Sequence, residues 1–466
     1  MFELEIIQYF LIKIDQNVRK LLIKLKANLM RSKIFLFTIS FLMASISWAE
    51  SYIYLTNSTM ETLTLNTIQT GYDNISHGNQ WEQLADTVPP LGTVKFLRFN
   101  RDDGIKWGRT YNFKTTVQGA SNSVELQQML EGTWNFSKMW LSAENDSWKY
   151  DRDIHTIPMD FDGKASTLAY RSQYARVSGD DIHYVINNDW KTETRDEANN
   201  SFKVLNYNVW ALLPGITAKN THARLDTIAE YVKGYDAIVF EELFDPALTA
   251  HFRSKISAEY PYLTDIPFKL GKLLTGGSFI ASRYPIIEHD DAVYDACRAD
   301  GCLASKGMNY AKINKNGKIY NLFGTHTHAY TTPDDIAVRF AQLTQLKSFI
   351  DSKNIPADEP VLMGGDFNVD KIHFPQEHYD FLDVMDGTEP MALGEYPHSY
   401  AGPVNVYAEN QYTEYLDYVL YSNEHVAPIY SQNTLLVPRS IESDHWGSWD
   451  LSDHYPVASE FVFPSE

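Results

Sequence analysis

The sequence predicts two folded parts in series, an all-β module at 51–195 and a larger α/β domain at 202–466. Three observations predict it. Between 51 and 190, six short segments alternate apolar with polar residues and are separated by Gly, Asn, Asp and Pro, the pattern of a β-sandwich or barrel. After Ser201, apolar strands alternate with amphipathic helical stretches, the pattern of an α/β domain. Between them KTETRDEANN, 191–200, is polar and lacks apolar periodicity, so it reads as a linker.

The module's strands are read at SYIYLTN, ETLTLNTIQ, GTVKFLRFN, YNFKTTVQ, GTWNFSKMWLS and IHYVINN. Six of the ten Trp lie in this part. They fit the filling of a small β core, and alternatively a sugar- or lipid-binding face. In the second part Phe202 to Trp210 reads as a strand. Thr221 to Lys233 reads as a helix with Leu225, Ile228, Ala229 and Val232 on one face and Gly234 as its stop. Strands follow at 236–240, 276–282 and 319–324. A second helix at 334–351 carries Ile336, Phe340, Leu343, Leu346 and Ile350 as its stripe, and strands at 361–363, 418–421 and 457–463 complete the domain.

Composition narrows the function. With 40 basic against 60 acidic side chains the net charge is −20, and the basic excess of the first 49 residues leaves −24 for the rest. Duplex nucleic acid is bound largely by Lys and Arg neutralising phosphates, so this acidity argues against a nucleic-acid partner and favours divalent cations. Met30-Arg31-Ser32-Lys33, a short apolar run and Ser47-Trp48-Ala49 have the three parts of a secretory signal with cleavage after Ala49. Residues 1–29 precede it without an evident task, and translation is expected to start at Met30. The apolar run is shorter than the roughly 20 residues of a membrane span. Two cysteines, Cys297 and Cys302, read as a local disulfide in an exported chain, with free thiols as the alternative.

Several apolar strands run directly into residues of catalytic type. VLNYN ends on Asn208, AIVFEE on Glu241 and Glu242, NLFGTH on His326, and VLMGGDFN on Asp366 and Asn368, while Asp453 and His454 precede PVASEFVF. Each alone is as well explained by a turn former or a structural histidine. Together they match one chemistry: hard oxygen ligands suit Mg²⁺ or a similar ion, and two histidines can serve as base and acid in hydrolysis of a phosphodiester.

The residues YNVW, EELFD, GTHTHA, GGDFNVDK, EYLDYVLYS and SDHYPVA, in this order, resemble the metal-dependent phosphodiesterases of the endonuclease/exonuclease/phosphatase superfamily. Within it, Ser305-Lys306-Gly307, Gly276-Gly277 before FIASRYPI and Asp417 within EYLDYVLYS are similar to the secreted bacterial neutral sphingomyelinases. The resemblance covers about 202–463 and says nothing about 51–195. It implies a DNase I-like four-layer α/β/β/α sandwich hydrolysing sphingomyelin to ceramide and phosphocholine, with haemolytic, virulence-type activity. The enzyme would be an extracellular monomer in peripheral contact with host membranes. Mg²⁺, or Mn²⁺ or Co²⁺, would be held by Glu242 with Asn208, Glu241 being the competing ligand.

By the same resemblance His454 is the general base, Asp366 and Asn368 orient the attacking water, His326 assists the leaving alkoxide, and Lys306 helps with phosphate charge. Neighbours on an extended segment point to opposite faces, so Asp417 rather than Asp453 is the expected partner of His454, leaving Asp453 near the metal. Asp417 could instead be a structural ion-pair partner. Trp446 and Trp449, in HWGSWDLSDH, suit a lipid interface beside the site, or alternatively packing beneath its loop. The stretch from Pro438 to Asp453 is shorter than the aromatic hairpin of Gram-positive relatives. The competing readings are a secreted nuclease or inositol-phosphate phosphatase of the same superfamily, and a membrane- or glycan-binding toxin acting through the β module.

Overall fold

The computed structural model describes residues 50–465 except 102–103, 177–178, 191, 214–218 and 395; the leader and the signal segment lie outside the described residues. The module is a sandwich. One sheet orders Trp81–Gln83, Thr93–Asn100, Glu50–Ser58, Gly179–Asn188, Lys164–Arg176 and His155–Phe161. The other orders Thr87–Val88, Leu63–Thr70, Thr110–Gln118, Ser123–Gly132 and Ser137–Ala143. Ile53, Leu55 and Phe96 of the first sheet meet Leu65, Phe113 and Leu126 of the second in one core. The first and last long strands pair in parallel, Ile53 against Ile182.

The structure adds strands to the sequence reading and shortens one. Ser123–Gly132 alternates buried and half-buried residues, but a buried glutamine interrupts its apolar pattern: Gln128 is enclosed and donates to the Tyr184 hydroxyl at 3.2 Å. In GTWNFSKMWLS the strand begins only at Ser137, because Thr133 to Phe136 forms a turn.

The second domain packs two sheets face to face. A seven-stranded sheet orders Tyr262–Leu263, Phe279–Ser282, Ala237–Leu243, Ser201–Ala211, Val457–Val462, Tyr430–Leu435 and Met391–Leu393. A six-stranded sheet orders Ile286–Val293, Gly307–Lys315, Lys318–His326, Val361–Asp366, Asp417–Ser422 and Gly387–Thr388. Val204, Val239 and Ile280 meet Tyr310, Leu322 and Met363 between them. The sheets approach closely where side chains are absent: a Cβ on Gly324 or Gly364 would lie 2.9 or 3.1 Å from the Val239 methyls.

Helices Thr221–Tyr231 and Pro246–Ile256 cover the seven-stranded sheet, with Leu225, Ile228, Leu248 and Phe252 against Leu205, Ile238 and Phe240. Helices Pro333–Ser352 and Pro375–Met385 cover the other, Phe349 meeting Phe323 and Phe381 meeting Phe367 and Tyr418. The result is the four-layer α/β/β/α sandwich. The Pro333–Ser352 helix is rotated from its expected stripe: Asp335, Arg339 and Gln342 are buried beside Leu343, Leu346 and Ile350, while Ile336 and Phe340 are half-buried. No helix of the described residues is long and apolar enough to cross a membrane.

The two parts meet along a packed seam, and of the two readings of Trp446 and Trp449, a lipid interface or packing beneath the loop, the contacts of Trp449 favour packing, though against the module. Trp449 is buried against Ala169 and Val185 of the module, and Trp446, 5.1 Å from it, lies under the Arg171 guanidinium. Apolar indoles gain more from this dry contact than from water. Beside them Arg439 donates to Asp450 at 2.8 Å, to the Val404 carbonyl at 2.7 Å and to the module's Leu91 carbonyl at 2.9 Å.

Candidate active site

Strand geometry gathers the polar residues at one end of the two facing sheets. The parallel pairs put Asn208 beside Glu241 and His326 beside Asp366, and the antiparallel pair puts Asp366 opposite Asp417. Asn208 is completely buried and its amide donates to Asp366 Oδ2 at 3.1 Å. That same oxygen lies 3.5 Å from His326 Nε2 and 3.9 Å from His454 Nε2. Asp366 therefore stands between two imidazoles.

His454 Nδ1 is 2.8 Å from Asp417 Oδ2, and its ring packs edge-on to Tyr400. Burial opposes its charge, but the carboxylates of Asp417, Asp366 and Asp453 outweigh this and hold its pKa well above the ordinary value. Burial pushes Asp417 up to about 6 against the pull of His454, and Asp453 up to about 7. Asp453 is set by Ser452, whose hydroxyl donates to the Asn208 carbonyl at 2.7 Å. Asn405 fixes the same turn by donating to the carbonyl of Ser452 at 2.8 Å.

His326 has different surroundings. Lys306 donates to its Nε2 at 2.7 Å and to the Thr327 carbonyl at 2.8 Å. Burial and the adjacent ammonium hold His326 well below its usual pKa, so the imidazole is neutral and accepts a hydrogen bond. Lys306 thus delivers its charge through the ring. Asn368 reaches the Thr327 carbonyl at 3.3 Å, and its N–H donates to Asp366 Oδ1 at 3.0 Å.

Glu242 Oε1 lies 3.9 Å from His326 Nε2, and its other oxygen is buried without a hydrogen bond among the described residues. Glu242, His326 and Asp366 present ligand atoms within 4.8 Å of one another, as do Asp366, Asp417 and His454. Glu241 takes no part in these groups. It is completely enclosed, neither oxygen accepts a hydrogen bond among the described residues, and burial with Asp417 and Asp366 nearby drives its pKa well up. Buried carboxylates at this density repel one another, and a divalent cation among them fits both that charge and the unpartnered Glu242 oxygen. Trp210, Glu242 and Asn368 adopt φ of 50°, 63° and 52°, and such left-handed residues persist where surrounding contacts enforce them.

Arg224 was not among the residues singled out from sequence. It is fully buried and donates to the carbonyls of Val209, Trp210 and Leu451 at 2.9, 2.8 and 2.8 Å, tying the strand after Asn208 to the loop carrying Asp453. Its signal in the sequence, an arginine on the apolar face of a helix, is a weak one. Cys297 and Cys302 are disulfide-bonded around the turn Ala299–Cys302, and Gly301 packs on His328.

The sequence matches the Endonuclease/Exonuclease/phosphatase family over residues 205–454. It is 35% identical over 289 residues to a sphingomyelinase C 2 of Leptospira interrogans, covering 56% of this chain and 46% of that protein. It is 31% identical over 313 residues to a sphingomyelinase C of Bacillus cereus, covering 58% of this chain and 91% of that one. The chain thus spans about half the length of the Leptospira relative and nearly all of the Bacillus one. Its fold superposes on a doubly substituted beta toxin from Staphylococcus aureus with bound magnesium ions at a TM-score of 0.52 and 27% identity, covering 56% of this chain and 99% of that one.

Proposed function

The chain belongs to the endonuclease/exonuclease/phosphatase family, in its bacterial sphingomyelinase C branch, and on that premise we propose that it is an exported phosphodiesterase hydrolysing sphingomyelin to ceramide and phosphocholine. The observation that carries this reading is the position of Asp366 between His454 and His326, with Asn208 and Glu242 alongside. Glu242 and Asn208, with Asp453 nearby, would hold Mg²⁺, the ion named with the beta toxin, with Mn²⁺ or Co²⁺ as alternatives. When bound, such an ion would supply positive charge against the phosphoryl oxygens and the surrounding carboxylates.

With a divalent cation offsetting the carboxylates that raise its pKa, His454 would be neutral and take a proton from the attacking water, while Asp417 fixes the ring through Nδ1 so that Nε2 faces the reaction. Asp366 and Asn368 align that water and the phosphoryl group. On the far side the Lys306 ammonium can pass its proton to His326 Nε2, from which the departing oxygen takes it, so that ceramide leaves as the alcohol. A zwitterionic head group needs no strongly basic footprint, which agrees with the net charge of −20. The module acts as a surface-binding arm, a reading supported by the exposed pair Trp107 and Trp134, 5.8 Å apart. Red-cell lysis is the expected cellular consequence.

The test is phosphocholine release from sphingomyelin compared with phosphatidylcholine, with and without EDTA, alongside plasmid DNA and phosphatidylinositol phosphates. Sphingomyelin cleavage abolished by EDTA supports the reading. Turnover of DNA or inositides in its place would transfer the protein to the nuclease or phosphatase branch.

A further inference from the structure

Trp449 is buried in the seam and Trp446 packs half-buried against it, which leaves other apolar residues to meet a bilayer. The segment Pro267-Phe268-Lys269-Leu270-Gly271-Lys272-Leu273-Leu274 leaves Phe268 58%, Leu270 93% and Leu273 78% exposed, and Leu303 beside it 47% exposed. This is a large apolar surface for one short loop, and such patches mark interaction sites.

The loop is held in place. Leu273 and Leu274 both donate to the Leu303 carbonyl at 3.0 Å, and Gly276 donates to Pro267 at 2.7 Å. Ser305 joins its two ends, accepting from Lys269 N–H at 3.1 Å and donating to the Leu274 carbonyl at 3.0 Å. Lys272 donates to the Cys302 carbonyl at 2.8 Å, fastening the loop to the disulfide turn that rests on His328. The next residue after Ser305 is Lys306, whose ammonium contacts His326. The exposed leucines are therefore pre-organised and continuous with the leaving-group side of the site.

We propose that Phe268, Leu270, Leu273 and Leu303 insert into the head-group boundary of a zwitterionic choline-phospholipid bilayer, with the exposed Lys269 exchanging its 3.4 Å ion pair with Asp295 for a lipid phosphate. This rests on the sphingomyelin reading above. An exposed lysine among apolar side chains, in a chain of net charge −20, matches a surface that offers phosphates outside and hydrocarbon inside. Insertion seats the loop against the membrane while Ser305 keeps Lys306 and His326 in register with the scissile bond.

The test uses the full chain and the double variant Leu270→Asp with Leu273→Asp, whose side chains are exposed and do not enter the core. Hydrolysis of equimolar sphingomyelin and phosphatidylcholine vesicles, vesicle co-sedimentation, and hydrolysis of soluble p-nitrophenyl phosphocholine are measured together. The expected result is a loss of at least about tenfold in vesicle binding and vesicle turnover, from two unburied leucines, with soluble turnover within about twofold of the parent. Leu270→Trp with Leu273→Phe should restore vesicle turnover. Undiminished vesicle turnover in the Asp variant overturns the inference, as does an equal loss on both substrates. A parent dimer that the Asp variant converts to monomer without loss on vesicles would assign the patch to a second copy instead. A parent that cleaves the soluble diester but not sphingomyelin overturns the substrate reading, a result distinct from these.

Discussion

Asp417 and His454 meet across the two sheets: Asp417 opens the strand Asp417–Ser422 of the six-stranded sheet, and His454 precedes Val457–Val462 of the seven-stranded one, yet Oδ2 and Nδ1 stand 2.8 Å apart. The site is thus a joint between layers, and its chemistry depends on their registration. Asp417→Asn keeps the shape but removes the charge that fixes the imidazole. It should lower kcat by about 10²- to 10⁴-fold with little change in KM, as judged by steady-state kinetics on a soluble diester.

Lys306 and His326 form a second coupled pair. Burial and the ammonium together hold His326 neutral, so Lys306→Met should raise the His326 pKa toward its ordinary value while activity falls. Imidazole resonances of metal-free protein followed by NMR against pH check the direction of the shift.

The crowd of buried carboxylates predicts metal-linked stability. Saturating Mg²⁺ should raise the thermal midpoint, by about 2.7 kcal/mol of stabilisation at a hundredfold excess over Kd, and Glu242→Gln should abolish most of that gain. Differential scanning fluorimetry with and without EDTA reads both.

Asp335 gives a pH prediction remote from the metal. The Thr332 hydroxyl, opposed by burial and assisted by His328 and Arg298, holds its carboxyl well below the usual range. A depressed folded-state pKa contributes stability above the unfolded value near about 3.9, and that stability disappears as pH falls through the folded value. Asp335→Asn should therefore cost about 1–3 kcal/mol at pH 7, with the deficit shrinking below about pH 4 in chemical denaturation.

Arg439 spans the seam from Asp450 to the module's Leu91. Arg439→Ala leaves Asp450 buried and partly unpaired and should destabilise the protein by about 3–5 kcal/mol. Limited proteolysis should then cut near the linker at 191–200 faster than in the parent.

Most of the catalytic domain is legible in the sequence because apolar strands and polar residues change over sharply at the site. VLMGGD is buried throughout before Asp366, and Asn208 and His326 stand at comparable positions. The helix Pro246–Ile256 was missed although Asp245 caps it and Pro246 starts it, since only Leu248, Thr249, Phe252 and Ile256 are buried along it. The rotation of Pro333–Ser352 has a similar cause. Arg339 is buried because it donates to the His328 and Tyr330 carbonyls, a tertiary requirement that no local periodicity encodes. The fate of Trp446 and Trp449 depends on a partner surface more than 200 residues away in sequence, at Ala169 and Val185. Residue pattern alone does not distinguish that surface from a membrane.

The strand carrying Asn208 pairs with the strand that follows His454, Phe202 against Phe461. The first and last strands of the domain are neighbours, and each brings part of the reaction centre. A chain synthesised from its N-terminus carries Asp417 without its imidazole partner and leaves the Ser201–Ala211 strand with an open edge until residues 454–462 have emerged.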